Sequence, residues 1–377
     1  MTEPLPDEAA SNPLRKRLVI LGAAVVAIAA LAVVIAVAPQ QTEPVASTAS
    51  AAPPAPAEPP TMPPQAAPQP VPPKEGQEFE GWVTKVAGWL DIPERAMTGY
   101  AKATVALSKD QPGCHLSWVT LAAVGKVTTD HGRAGGGQLG ADGRVSKPIG
   151  ALEVRDFYGH VVSTKDASGP MQLSAAVWKK WQGPGKPDAQ NIDAAALAAG
   201  RALCDGGRDL AKGEAWWQGV STLQSAPLFL HRILATANVY GTVGKNPAPP
   251  NPAVLKAVSF AIDKIGLPYV WGGNGEEKGD LGFDCSGLTT AAYGTAGITL
   301  KRTAHWQYES VPLVPTSQSP QLGDLIFYGN PATKIHHVGI FIGNEQMIDA
   351  PTFGQAVQVH TYRKAGDDFA GAGRPTA

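Results

Sequence analysis

Apolar and polar positions divide the chain into regions of different character. From Leu18 to Val37 apolar residues run without interruption. At the rise of an α-helix that run is about 30 Å long, the thickness of a bilayer core. Arg15-Lys16-Arg17 precedes it, so the pattern predicts a transmembrane helix over 18–38, a cytoplasmic tail over 1–17, and everything later outside the cell. A cleaved signal peptide is the alternative. Its apolar region normally has only about 7–15 residues, and Pro39 directly after Ala36-Val37-Ala38 obstructs cleavage. Residues 39–77 are rich in Pro and Ala and lack the apolar periodicity of a core. They read as an extended spacer reaching on the order of 100 Å.

From 78 to 244 the spacing becomes helical. Trp82, Val86, Trp89 and Leu90 form one stripe, Pro93 opens a new helix at its first turn, and Trp118–Val127, Ala194–Leu203 and Phe229–Tyr240 are further helices. Gly132 to Gly150 is glycine-rich and reads as loop. A short proline-containing hinge over 245–252 leads to a last unit, 253–377. It opens with a helix, Val254–Ile265, carries a second helix after Cys285, and then shows strand-like Leu325–Tyr328, Val338–Ile342 and Val357–Val359. Helices first and strands later predict an α+β unit.

The candidate chemistry lies in that last unit. Cys285 opens an apolar helical run (Leu288, Ala291, Ala292), and His336-His337 stands about fifty residues on, at the head of a strand-like segment. A cysteine at a helix N-terminus meets free backbone N–H groups and the positive end of the helix dipole, which favour a thiolate and can hold an oxyanion. A histidine supplies the base. Cys285 could instead be a small buried hydrophobe, and strand alternation alone does not choose between the two histidines. Pro268-Tyr269-Val270-Trp271-Gly272-Gly273, Phe283-Asp284-Cys285-Ser286-Gly287-Leu288, Leu322-Gly323-Asp324-Leu325 and His337-Val338-Gly339-Ile340-Phe341-Ile342-Gly343 together resemble the NlpC-type cell-wall endopeptidases, which are papain-like cysteine peptidases. The resemblance spans roughly 253–363. It implies Cys285 as nucleophile, His337 as base, Tyr269 beside the oxyanion site, and Asp284 and Ser286 on the substrate's free amine. Trp271 would line the groove, although it and Tyr269 serve equally as core aromatics. The position that orients the histidine, usually another histidine, is Asp349 here; a carboxylate can accept the imidazole N–H and stabilise the imidazolium.

The helical region resembles the soluble lytic transglycosylases, which have a lysozyme-like fold. The matching stretches are Cys114-His115-Leu116-Ser117-Trp118, Leu121–Val127, Asp130-His131-Gly132, Ala167–Leu173, Asn191–Leu197 and Leu203-Cys204. The family's glutamate acid falls on Thr128. Glycosidic cleavage needs a carboxyl group to protonate the leaving oxygen, and a threonine hydroxyl does not ionise near neutral pH. Asp130 would point away if the helix continued, nothing in the context of Glu153 recommends it, and a groove-lining Tyr-Asn pair is replaced by Leu223-Gln224. Met171 and Gln172, which shape the family's groove, are intact. The resemblance therefore implies a glycan-binding domain without its acid.

Composition narrows the partners. There are 31 basic and 32 acidic residues among 377, a net charge of −1, so no nucleic acid is called for. No H-E-x-x-H, C-x-x-C or phosphate-loop spacing occurs, and neither metal nor cofactor is expected. Three cysteines in an exported chain suggest one pair and one free thiol. With Cys285 as nucleophile, the pair is Cys114 with Cys204. The expectation is a multidomain, membrane-anchored, outward-facing peptidoglycan hydrolase. It would cleave the γ-D-glutamyl–diaminopimelate bond of stem peptides in local wall opening, during remodelling or at a conjugative (type IV) secretion channel whose components would be partners. The alternative is a non-enzymatic wall-binding component of such a machine.

Overall fold

The structure, a computed structural model, describes residues 66–74, 76–275 and 281–376. The expected tail and transmembrane helix, and most of the spacer, lie outside the described residues. Among those that are described, no helix is long and apolar enough to cross a membrane.

Among the described residues, seven α-helices build the first half: α1 (Gln77–Leu90), α2 (Glu94–Asp110), α3 (Trp118–Thr129), α4 (Ala175–Trp181), α5 (Ile192–Leu203), α6 (Gly213–Ser221) and α7 (Pro227–Lys245). α1 buries Phe79, Val83, Val86, Ala87 and Leu90, while Trp82 sits at the edge of that face, its ring edge-on to Trp118 at 5.5 Å. Ser117 caps α3. Between α3 and α4 the chain is mostly turns and bridges, in keeping with its glycines. A disulfide joins Cys114 to Cys204.

The spacer expected over 39–77 does not stay clear of the fold to its end. Residues 66–74 are laid against the helices, because proline-rich backbone keeps free carbonyls that side chains can engage. Ser117 Oγ donates to Pro70 O (2.8 Å), Gln69 Nε2 donates to Leu210 O (3.3 Å), and Asn344 Nδ2 donates to Ala66 O (2.6 Å). Ala67 is buried, so the segment joins the fold ten residues before α1.

The second half contains α8 (Pro252–Asp263), α9 (Cys285–Thr295), α10 (Ala304–Ser310) and the strands β1 (Leu325–Asn330), β2 (Lys334–Gly343), β3 (Gln346–Asp349), β4 (Gln358–Thr361) and β5 (Phe369–Gly373). The strands form one antiparallel sheet in the order β4-β3-β2-β1-β5. Val338, Ile340 and Ile342 of β2, with Ile348 and Val359, join a core that also holds Leu288 and Ala292 of α9. By strand alternation, His337, Gly339 and Phe341 point the other way.

Residues 246–251, within the expected hinge, make only a short turn, and the helical and α+β halves share one hydrophobic core. α7 is the seam. Its Asn238 hydrogen-bonds Gln346 and accepts from Asn344 (3.2 Å). His231 accepts the Val359 N–H (3.2 Å), and Arg232 donates to Asp263 O (2.8 Å) and Ile265 O (3.1 Å). Buried polar groups matched across a seam fix its register, because sliding would strand each of them without a partner.

Candidate active site

Cys285 is the first residue of α9. The cap before it is Asp284, whose carboxylate accepts the Gly287 N–H at 2.6 Å. As a first-turn residue, Cys285 carries a backbone N–H with no partner inside the helix, next to its own sulfur. The helix start is pressed against the preceding turn: a Cβ on Gly287 would lie 2.0 Å from Gly273 O, so only glycine allows this approach. The thiol is buried, 8 % exposed, and is the free cysteine of the chain.

Asp284 does more than cap. It also accepts the Gly272 N–H (3.0 Å), the Ser286 hydroxyl (3.2 Å) and both guanidinium nitrogens of Arg302 (3.0 and 2.7 Å). Arg302 in turn donates to Ser286 Oγ (3.1 Å). Both residues implied for amine recognition are thus engaged inside the turn that carries Cys285, and Arg302 neutralises the carboxylate. An incoming amine would have to displace Arg302, so here Asp284 and Ser286 first of all fix the sulfur.

Strand alternation sets the histidine geometry. His336 points out and pairs with exposed Asp368 (2.6 Å). His337 points to the other face, where its Nε2–H donates to Asp349 Oδ2 at 2.7 Å, and Cys285 is near enough to act on its ring, while the thiol itself lies 4.0 Å from His336 O. With Nε2 occupied, Nδ1 is left for the sulfur. Gly339 makes room: a Cβ there would lie 2.7 Å from Met347 Sδ and 3.2 Å from Asp349 Cβ. The Tyr328 ring packs on His337 with centroids 5.8 Å apart.

Asp349 is 2 % exposed and serves two imidazoles. Its other oxygen, Oδ1, accepts from His360 Nδ1 at 2.7 Å. His360 belongs to β4 and faces the same side as Asp349 because Met347 pairs with His360 across the ladder. Burial pushes the Asp349 carboxyl up, but His360 and then His337 hold it below the ordinary carboxylate range. For His337, burial works against the proton, yet Asp349 and Cys285 outweigh it and raise the ring to about 10. Burial likewise opposes the proton on His360, and Asp349 again wins, so that ring is also raised. A buried carboxylate with two imidazole donors thus keeps His337 cationic, the state that stabilises a thiolate.

The rim is aromatic. Tyr269 is buried, and burial together with Cys285 and Asp284 raises its hydroxyl pKa. Its ring is edge-on to Phe353 at 5.1 Å. Phe353 and Trp271 are exposed, 69 % and 73 %, which places Trp271 on the surface rather than in the core. His360 and Phe353 escaped the sequence reading. Only the period-two offset from Gln358 on a short, weakly patterned strand could have pointed to His360.

In the helical half, Thr128 is buried and its hydroxyl donates back to Val124 O (2.7 Å). Met171 is fully buried. Gln172 ties its own turn to the 150–152 segment, accepting the Leu152 N–H (2.9 Å) and donating to Gly150 O (2.9 Å) and Gly169 O (3.1 Å). Asp130 ends α3 in the left-handed region, with φ at 49°. Burial pushes its pKa up, but Lys126 (2.5 Å) and Arg133 (2.9 Å) lower it below the ordinary value, which is the opposite of a general acid. Glu153 is exposed and paired with Arg155.

Residues 266–367 match the NlpC/P60 family, so the chain carries an NlpC/P60 domain at its C-terminus. Among curated relatives, the chain is 37% identical over 123 residues to the peptidoglycan endopeptidase RipA of Mycolicibacterium smegmatis, covering 30% of this chain and 24% of that protein. It is 44% identical over 93 residues to the probable endopeptidase p60 of Listeria seeligeri, covering 25% and 17%. To the peptidoglycan endopeptidase RipB of Mycobacterium tuberculosis it is 37% identical over 123 residues, covering 30% and 50%. The chain therefore spans half or less of the length of these relatives.

Proposed function

We propose that this chain is a peptidoglycan endopeptidase of the cysteine class. The carrying observation is the buried array in which Cys285 meets His337 and His337 meets Asp349. In the resting site the proton rests on the imidazole and the sulfur is the nucleophile. The thiolate attacks the scissile carbonyl, and the Cys285 backbone N–H at the start of α9 lies where the oxyanion forms. His337, held protonated by Asp349, gives its proton to the leaving amine. It then takes one from the water that resolves the thioester. The bond we assign is the γ-D-glutamyl–diaminopimelate linkage of the stem peptide.

The helical region, in this reading, is a lysozyme-like, transglycosylase-type module that holds glycan without cutting it. Thr128 at the acid position and the ionised, doubly paired Asp130 support that reading. The apolar run 18–38, with its basic flank, supports a membrane anchor that leaves both catalytic and glycan-holding parts outside the cell. Local wall opening, for remodelling or for a conjugative secretion channel, is the role such an anchored hydrolase would serve.

The test is a digest of purified peptidoglycan with the full chain and with Cys285→Ala, followed by mass spectrometry. The expected result is diaminopimelate-containing peptides from the first and none from the second, with no anhydro-sugar products from either. Undiminished peptide release by Cys285→Ala would remove the mechanism, and anhydro-sugar products from that variant would remove the degenerate-acid reading.

A further inference from the structure

The turn that joins the His337 strand to the Asp349 strand is held from outside its own hairpin. Asn344 and Glu345 connect β2 to β3, and both have left-handed backbone, with φ at 52° and 57°. Asn tolerates that conformation and Glu does so poorly, so these two residues do not favour the turn by themselves. The ladder beside it is irregular. Ile340 pairs with Ile348 and Phe341 with Met347, but Gly343 pairs with Gln346, one step out of register. Register decides the site here, because a one-residue slip of β3 would turn Asp349 to the face opposite His337.

One face of α7 grips this turn. Asn238, Gly241 and Thr242 stand three and four residues apart, on one side of the helix. Asn344 Nδ2 donates to Asn238 Oδ1 (3.2 Å), and Asn238 in turn hydrogen-bonds Gln346 of β3. A Cβ on Gly343 would lie 2.0 Å from the Thr242 hydroxyl oxygen. Gly241, between them, meets the proline-rich segment instead: a Cβ there would lie 2.6 Å from Pro68 Cβ and 2.8 Å from its Cγ. Only glycine lets Pro68 sit so close to the helix.

The segment is fixed at two points, one in each half. Ser117 Oγ donates to Pro70 O (2.8 Å), and Asn344 Nδ2 donates to Ala66 O (2.6 Å). Both hydrogens of the Asn344 amide are therefore engaged, one by α7 and one by Ala66. Ala67, Pro68 and Pro72 are buried, while Val71 is 77 % exposed. We propose that residues 66–72 are a positioning strap: by filling the Gly241 face of α7 and engaging the Asn344 amide, they pin the β2–β3 turn and so hold Asp349 in register with His337. This rests on the peptidase reading above and extends it, since chain ahead of the helical half then helps to set the site. Loss of the strap would leave Asn344 one hydrogen bond short and open the turn to water. Asp349 would keep its charge and lose its alignment. His337 is faced by Asp349, Cys285 and Tyr328, and Asp349 also by His360, so a looser Asp349 contact shows as easier deprotonation of the His337 ring.

Two variants of the full chain undo the strap from opposite sides, and each suits its own backbone. Gly241→Ala places a good helix former in α7, where the nearest atoms to its methyl all belong to Pro68. Asn344→Gly eases the left-handed turn while deleting the amide. Val71→Ser, on the exposed side of the strap, is the control. Hydrogen exchange is followed at 66–74 and at 346–349, beside the pH dependence of peptide release and of Cys285 alkylation. Both variants should exchange faster in both segments and show kcat roughly three- to tenfold lower, with KM within about twofold of wild type. Their alkaline limb should move below the wild-type value of about 10. The double variant should fall no further than the worse single one, as a shared contact requires, and Val71→Ser should match wild type. Unchanged exchange at 66–74 in both variants would show that these contacts do not hold the segment. Faster exchange there with an unmoved alkaline limb would reduce it to a patch over apolar surface. Either result overturns the proposal, as does an equal effect from Val71→Ser. Alkylation needs no substrate and reads the same ring, so a wild type that releases no stem peptide would sink the peptidase reading while the alkylation limb still decides the strap.

Discussion

Replacing Asp349 by Asn tests the site at its most heavily determined point. The carboxylate is buried, lies 2.7 Å from His337 Nε2 and 2.7 Å from His360 Nδ1, and has little water to replace either contact. Asn keeps the shape but removes the charge, and it can accept from only one of the two rings. A hydrogen bond to a buried charge contributes about 1.5–3 kcal/mol, so taking about 2 kcal/mol for the His337 arm gives a loss of roughly thirty-fold in kcat/KM near neutral pH. The pH signature discriminates better than the magnitude. His337 is raised from 6.5 to about 10 chiefly against burial, by Asp349 first and Cys285 second. Removing the first should bring the ring back down, so the alkaline fall in kcat/KM moves from near pH 10 to lower pH. The sign for stability is the same. A raised imidazole stabilises the fold fully below its unfolded value of 6.5 and loses that contribution as pH climbs through about 10, whereas the depressed Asp349 carboxyl stabilises it fully above its unfolded value of 3.8 and loses that as pH falls, so wild type and Asp349→Asn should differ most between these two unfolded values and converge in alkali and in strong acid. The assay is the pH dependence of peptide release, with the pH dependence of Cys285 alkylation as a second reading. His360→Gln provides the contrast. It leaves the His337 arm intact, so its loss should be several-fold and its alkaline limb should move less than that of Asp349→Asn. An unmoved alkaline limb in Asp349→Asn would refute the assignment of Asp349 as the group that keeps His337 protonated.

Arg302→Ala removes the counter-ion of a carboxylate that is buried and that caps α9. The expected cost is about 2–3 kcal/mol of stability, with a larger fall in kcat than a surface arginine would give; equal stability and activity to wild type would show that Asp284 holds the turn unaided. Breaking the Cys114–Cys204 bridge, 90 residues apart, by a double Cys→Ser substitution should lower stability by about 4–5 kcal/mol on loop-closure grounds. The Cys285 site holds no part of it, so thiol alkylation at low temperature should be unchanged, and calorimetry beside alkylation rates checks both halves of the statement.

What the sequence could carry follows from the range of the forces involved. The start of α9 at Cys285 was readable because the signal is local: a capping aspartate, two small residues, then apolar positions at helical spacing. The choice of His337 over His336 needed motif register, since both occupy one strand and only the face they are turned to separates them. Asp349 was readable as a substitute within a matched block. His360 was not. Its role exists only because β4 pairs with β3 so that Met347 faces His360, and a four-residue strand gives no periodicity from which to infer its partner. The seam was hidden for the same reason. A run such as Phe229–Tyr240 predicts a helix, but its polar members His231 and Asn238 read as surface residues until β4 and Gln346 arrive to bury them. Proline content misled at residues 66–74, where composition forecasts a chain without a core of its own and says nothing about whether another core will accept it. The residues that escaped the sequence are therefore those whose partners lie across a strand pairing or across the seam. There His360 hydrogen-bonds the Asp349 carboxylate and, after burial, adds to the lowering of the His231 pKa. A perturbation of β4 at the seam should accordingly reach His337 through His360 and Asp349.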